Sequence, residues 1–404
     1  MFIFVWVTVS LTLIGILAKY SGQLAERLHL PALIGMMIVG MLIGPTFLNL
    51  VPAPALALSA FLRDLALVAI LFIGGLGISL AQMKRIGRFS VLLSTIPTLL
   101  EGFIVAFVAM ILLNFSFIQG AILGFMIASV SPAILVPALV GLIKEKVAQD
   151  KAIPQMLLAG VSVESTISTT LFTIFLSLYL HQTGTDESIV IWSHLWSIPL
   201  TLIISFGVGY VAFKISKSWI NQIAKPIVKT ALAFSLCLMI RFTHQHFQFE
   251  LFNSLFAVMV YGFFIHNLLS NVSVTISNEM NKVWEIGKLY LFTFVGMTIN
   301  PTIIWHVLTV GILILVCALT IRSIGVLISL IGSNLTWKER LFCVIAYLPK
   351  ATIQSTLAAI PLQAGVVGGG IIEAIVILSV LVTAPLGAIG IRLSSSRLLE
   401  SEDQ

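Results

Sequence analysis

Long apolar runs separated by short polar clusters fill this chain from its first residues almost to its last. A helix needs about 20 apolar residues to cross a bilayer. By that measure the pattern predicts thirteen spans, near 3–18, 31–49, 62–81, 90–113, 118–143, 153–180, 191–213, 228–243, 251–269, 286–300, 302–331, 339–362 and 367–391. The eighth and tenth are short, the pattern of a tilted, broken or interfacial segment. The first run lacks a basic leading segment and a small-residue cleavage site, so it reads as a retained helix rather than a signal peptide. Charge checks the count, because one missed span would exchange the sides of every later loop. Of the 22 Lys and Arg, 18 fall after odd-numbered runs or in the tail, which places the N-terminus outside and the C-terminus in the cytoplasm.

Composition agrees with that pattern and narrows the class. Hydrophobic residues make up 59% of the chain and charged residues 9%, and the mean hydropathy is +1.10. These values exclude a soluble domain and describe an all-α polytopic membrane protein, for which the cell (inner) membrane is the expected location. The net charge of +6 follows from the cytoplasmic bias of the basic loops and calls for no nucleic acid. Cys237, Cys317 and Cys343 lie in apolar runs without ligand spacing and read as core packing. "THQHF" (243–247) could bind a metal or sense pH, but falls on an expected external loop. "GVVGGGI" (365–371) matches no nucleotide fingerprint and reads as a turn or close helix packing. The sequence carries no metal-ligand cluster and no phosphate loop, so neither an enzyme nor a cofactor is expected. Nothing in it favours a gated channel or a sensor.

The informative residues are ionisable groups at membrane depth, each of which costs several kcal/mol unless paired or hydrated. Glu101, Glu164, Arg322 and Lys350 are the clear cases. Two acids and two bases can form two ion pairs, and Glu101 with Arg322 reads as a structural clasp between helices. Glu164 and Lys350 sit among features a clasp would not need. Glu164 lies in "AGVSVESTISTTLF", beside Ser162, Ser165 and Thr166. Lys350 follows Pro349 and opens the polar stretch "KATIQSTLAA", where the proline removes a helical hydrogen bond. The fifth run holds "SVSPAILVPALVGL", with Ser129 and Ser131 ahead of Pro132, and Pro137 beyond it. Two interrupted polar spans in separate halves are the pattern of transporters with inverted repeats, in which broken helices cross near the midplane and their ends bind ions.

These stretches resemble the monovalent cation:proton antiporter superfamily, the bacterial sodium/proton exchangers, over nearly the whole chain. "LPALIGMMIVGMLIGP" (30–45), "RDLALVAILFIGGLGISL" (63–80), "IPTLLEG", "SVSPAILVP", "LPKATIQSTL" and "LVTAPLGAIGI" (381–391) are similar to that superfamily's motifs in order and spacing. The resemblance implies one transporter domain over 1–392, with an ion-translocating core near 62–180 and 302–391, and a cytoplasmic tail over 393–404. It implies a homodimer, and a core of two inverted three-helix repeats whose broken helices, marked by Pro132, Pro137, Pro349 and Thr352, cross beside the ion site. It also implies Glu101–Arg322 as an internal ion pair and Lys350 as the base that competes with the transported cation.

In one respect the chain departs from the family pattern. Members carry Asp-Asp or Asn-Asp on the helix after the first broken one, and here Glu164 and Ser165 occupy those positions. A partly desolvated carboxylate binds protons tightly enough to compete with a cation, so Glu164 can serve alone. Ser131, Ser162, Ser165 and Thr166 would add neutral oxygens suited to Na+ or Li+, with K+ a further candidate. With Lys350 as the neighbour of Glu164, the unloaded site is neutral, and one proton leaves per cation bound. The alternatives are an ion-coupled carrier of a small organic solute on the same fold, or a member that has lost cation/proton coupling.

Overall fold

The computed structural model describes residues 2–28, 30–148, 150–182, 191–247, 252–298 and 301–399, and among these every regular element is a helix. In chain order they are α1 (Phe2–Arg27), α2 (Ala32–Ile43), α3 (Ala53–Ala57), α4 (Ser59–Gly75), α5 (Leu80–Leu113), α6 (Phe117–Ile127), α7 (Pro132–Lys144), α8 (Ile153–Gln182) and α9 (Ile191–Gln222). There follow α10 (Pro226–Phe247), α11 (Ser254–Leu268), α12 (Ser270–Met297), α13 (Pro301–Ser329), α14 (Trp337–Ala346), α15 (Thr352–Leu357), α16 (Ile360–Gln363) and α17 (Gly369–Leu398). Nine stretches among the described residues are long and apolar enough to cross a bilayer, and α2 and α11 are shorter apolar helices. The two runs read as short belong to longer helices, α10 with 22 residues and α12 with 28. No proline lies inside either after its first turn, so the backbone ladder continues through polar residues that hydropathy alone leaves out. Of the cysteines, Cys237 and Cys343 are buried, whereas Cys317 lies on an exposed face of α13 and does not pack in the core.

The chain divides into two compact units. The first comprises Met1–Ser79, Ser205–Phe249 and Ser254–Pro301. In it α2 and α4 pack against α12, α4 also packs against α11, and α1 packs against α2. The second comprises Leu80–Ile204, Glu250–Asn253 and Thr302–Gln404. It begins later than the core expected from residue 62, because α4 buries itself in the first unit. There Gly75 lies so close to α11 that a Cβ would fall 2.0 Å from the Met259 carbonyl oxygen.

The second unit shows one three-helix pattern twice. A continuous helix (α5, α13) is followed by an interrupted one (α6/α7, α14/α15) and another continuous one (α8, α17). Helix α5 packs on α6 and α8, and α17 on α14, α15, α6 and α7. Backbone contact between α5 and α6 is direct: a Cβ on Gly124 would sit 2.1 Å from the Gly102 carbonyl oxygen.

Both interrupted helices start with the same device. Ser116 Oγ accepts from Gln119 N at 3.3 Å, while Gln119 Oε1 accepts from Ser116 N at 2.8 Å. Thr336 and Glu339 repeat this reciprocal box, at 3.3 and 2.6 Å. Each box then reaches the other repeat. Gln119 Nε2 donates to the Val367 carbonyl at 2.7 Å, just ahead of α17, and Lys151, just ahead of α8, donates to Glu339 Oε1 at 2.8 Å.

The breaks follow from proline chemistry. Pro132 has no N–H to give and disfavours helical backbone at Ser131, which is extended at φ −78°, ψ 111°. Proline is well placed at the first position of a new helix, and α7 starts there. Pro137, expected to mark the break as well, lies within α7, which continues through it. In the second interrupted helix the turn around Pro349 separates Ala346 from Thr352, the first residue of α15. "GVVGGGI" is a turn: Gly365 and Gly368 both have φ +78°, and Gly368 caps the start of α17.

Candidate functional site

The two breaks are bonded to each other. Ser131 N donates to the Pro349 carbonyl at 2.8 Å, so the segment entering α7 is tied to the segment leaving α14. Gln354, fully buried on α15, links them again. Its Nε2 donates to the Ser129 carbonyl at 2.8 Å, and its Oε1 accepts from Ala351 N at 3.0 Å. Lys350 N donates to Thr383 Oγ1 on α17 at 3.0 Å. Each contact satisfies a backbone group that a broken helix leaves without an intrahelical partner.

Around this crossing four charged side chains form one chain. Glu101 (α5), Glu164 (α8), Arg322 (α13) and Lys350 are each 0% exposed. Arg322 Nη1 lies 2.6 Å from Glu101 Oε2, Arg322 Nη2 lies 2.5 Å from Glu164 Oε1, and Lys350 Nζ lies 2.8 Å from Glu101 Oε1. The order is therefore Glu164–Arg322–Glu101–Lys350. The expected Glu101–Arg322 pair is present, but the side chain on Glu164 is Arg322, and Lys350 turns to Glu101 instead. The last contact is close enough for an ion pair yet lacks the alignment of a hydrogen bond. Two acids and two bases carry no net charge, which is what makes so deep a burial tolerable.

Arg322 also closes both half-helices. Nη1 donates to the Ala128 carbonyl at 2.8 Å and Nε to the Tyr347 carbonyl at 2.5 Å, and these two residues are the C-caps of α6 and α14. A guanidinium at two helix C-termini sits where the backbone dipoles are negative. The Tyr347 ring lies beneath it, 5.5 Å from ring centre to guanidinium carbon.

Glu164 faces the first break. Its Oε1 also accepts from Val130 N at 3.2 Å, whereas its Oε2 and the Ser131 hydroxyl are buried without a hydrogen-bond partner. Ser165, next along α8, is half-buried. Thr166 points elsewhere: its hydroxyl accepts from Asn253 at 2.6 Å, as a residue two positions from Glu164 on a helix must. Ser162 lies on the same helix, with its side chain outside the described residues. Ser168, one turn beyond Glu164, donates to the Phe125 carbonyl at 2.6 Å and holds α8 against α6. Sequence reasoning passed over Gln354, Thr383, Tyr347 and Ser168, whose only signal is polarity within apolar runs.

With this geometry in view, the comparisons with known proteins are specific. Residues 9–393 match the family described as "Sodium/hydrogen exchanger, transmembrane". The chain belongs to the sodium/hydrogen exchanger family. Among this family's members, sodium/hydrogen exchanger 9B2 of Xenopus tropicalis is 28% identical over 406 residues, covering 96% of this chain and 74% of that protein. Sodium/hydrogen exchanger 9B1 of Mus musculus is 26% identical over 389 residues, covering 93% and 67%. The solved structure of the sodium proton antiporter MjNhaP1 from Methanocaldococcus jannaschii at pH 8 superposes with a TM-score of 0.77 at 19% identity, covering 98% of this chain and 99% of that one. That superposition identifies the exchanger fold.

Proposed function

We propose that this chain exchanges a monovalent cation for protons across a cell membrane by alternating access, with Glu164 as the cation-binding acid. The observation that carries this reading is the Glu164 carboxylate at the break between α6 and α7: Oε1 accepts from Val130 N, and Oε2 is buried without a hydrogen-bond partner. A carboxylate so placed attracts a small cation, and a proton taken up by the buried site competes with it. The buried Ser131 hydroxyl, also without a partner, supports a ligand set of hard oxygens, to which Ser165, next to Glu164 in the chain, would add. Thr166 is the weaker member of the set, since Asn253 engages its hydroxyl. Names of relatives support sodium as the first cation to test, with lithium and potassium after it.

The wider reading has thirteen crossings, an external N-terminus and a cytoplasmic C-terminus. The second unit is the moving core, and the first holds the surface through which two copies pair. The test is proton flux in proteoliposomes on addition of sodium, lithium or potassium. Wild-type protein should dissipate an imposed pH gradient with at least one of them, and Glu164→Gln with none. Equal responses from the two proteins would remove Glu164 from the mechanism.

A further inference from the structure

Glu101 stands between two bases, and each of its oxygens faces a different one: Oε2 the guanidinium of Arg322 at 2.6 Å, Oε1 the ammonium of Lys350 at 2.8 Å. The expected division into a structural clasp and a transport pair does not describe this arrangement. A clasp would use both oxygens on one base. Here the acid counted as structural is the counter-ion of the transport lysine, and the acid counted as its partner is held by Arg322.

We propose that Glu101 is a positioning residue of the exchange reaction: it holds the proton-carrying Lys350 at one end of a four-residue charge chain whose other end, Glu164, takes the cation. This rests on the cation/proton exchange proposed above. The buried chain sums to zero charge, so a cation arriving at Glu164 would leave it at +1 in a site shielded from water, which is strongly unfavourable. One of the two bases must release a proton. Arginine does not release its proton in proteins, so Lys350 does. The step balances as a cation bound at Glu164, an ammonium at Lys350 converted to an amine, and one proton delivered to water at the open face. The free amine then faces Glu101, whose charge Arg322 still neutralises. Cation and proton thus never share an atom, and their competition passes through Arg322 and Glu101.

The charged groups acting on Lys350 are Glu101 from α5, Arg322 from α13 and Glu164 from α8. The Thr383 hydroxyl of α17 and the Tyr347 phenol carry no charge near neutral pH. Glu101 makes the direct contact. Among the charged groups it therefore acts most strongly on the pH at which Lys350 releases its proton, and with it on the pH at which exchange starts.

The experiment is the pH profile of cation-driven proton flux in proteoliposomes for wild type, Glu101→Asp and Glu101→Gln. Losing a neighbouring negative charge makes an ammonium release its proton more readily, so the rising limb should move towards lower pH, by about 1 to 3 units for Glu101→Gln. Glu101→Asp withdraws the carboxylate by one methylene and should move it less, in the same direction. A merely structural Glu101 would lower the rate or the melting temperature without moving the midpoint. Coincident midpoints in wild type and Glu101→Asp would overturn the proposal even where Glu101→Gln does not fold. Absence of cation-driven flux in wild type would instead overturn the exchange reading itself, so the two failures are distinct.

Discussion

Arg322 makes four hydrogen bonds from one guanidinium, to Glu101, Glu164 and the carbonyls of Ala128 and Tyr347. Few side chains could replace it. Lysine has the charge but not the planar fork, and its three donors diverge from a point. Arg322→Gln should destabilise by about 3 to 5 kcal/mol, because two buried acids then share one base. Arg322→Lys should recover only part of that loss, since two helix ends lose their donors. Thermal unfolding in detergent reads both variants, and a lysine variant as stable as wild type would remove the fork geometry from this account. The pairing also changes what a Glu101/Arg322 double replacement should do. It leaves Lys350 and Glu164 without their partners, so it cannot restore stability as removal of an isolated pair would.

At the scale of elements, the two interrupted helices use one design with different chemistry at one position. The third residue of α6 is Gln119 and that of α14 is Glu339; both complete a capping box and both reach the other repeat. The internal comparison isolates charge. Glu339→Gln should keep the cap and lose the ion pair to Lys151, a loss of about 1 kcal/mol, the upper end for an exposed pair, since Glu339 is only 3% exposed and Lys151 21%. Glu339→Ala should lose the cap as well, about a further 1 kcal/mol. Melting temperatures ranked wild type, Gln, Ala would match this; a Gln variant as unstable as Ala would mean that the ion pair carries the whole effect. Legibility differs among these parts. The boxes are visible in the sequence as Ser116-x-x-Gln119 and Thr336-x-x-Glu339, whereas the reach across repeats, 248 and 188 residues away in the chain, is not.

For the whole molecule the issue is how much charge one transport cycle moves. A site with two acids and two bases is neutral when empty, and neutral again when one cation has replaced one proton. Exchange should therefore be one-for-one and insensitive to membrane potential. Transport with the potential clamped to zero, or set by potassium and valinomycin, measures this, and a rate that tracks the imposed potential would contradict it. Ser165→Asp adds a third acid beside Glu164. It should make exchange depend on potential and extend the working range towards acid pH. Flux in Ser165→Asp but none in wild type would mean that exchange chemistry depends on the acid this chain lacks.

Depth and type were readable from the amino acids alone. A charged residue inside a long apolar run must be buried and must be compensated, so Glu101, Glu164, Arg322 and Lys350 could be picked out as a set. Pro132 and Pro349 could be read as breaks because a missing N–H acts locally, whatever surrounds it. Pairing was another matter. Arg322 and its acids lie 221 and 158 residues apart in the chain, and no local rule ranks Glu101 above Glu164 as the partner of a given base. Side-chain reach across packed helices decided it, giving Arg322 to both acids and Lys350 to Glu101. Packing likewise drew α4 into the first unit, where Gly75 admits α11 at backbone distance, although the family resemblance implied a core beginning near residue 62. Local chemistry is written residue by residue, whereas the choice among equivalent partners depends on distances that exist only once the helices have packed.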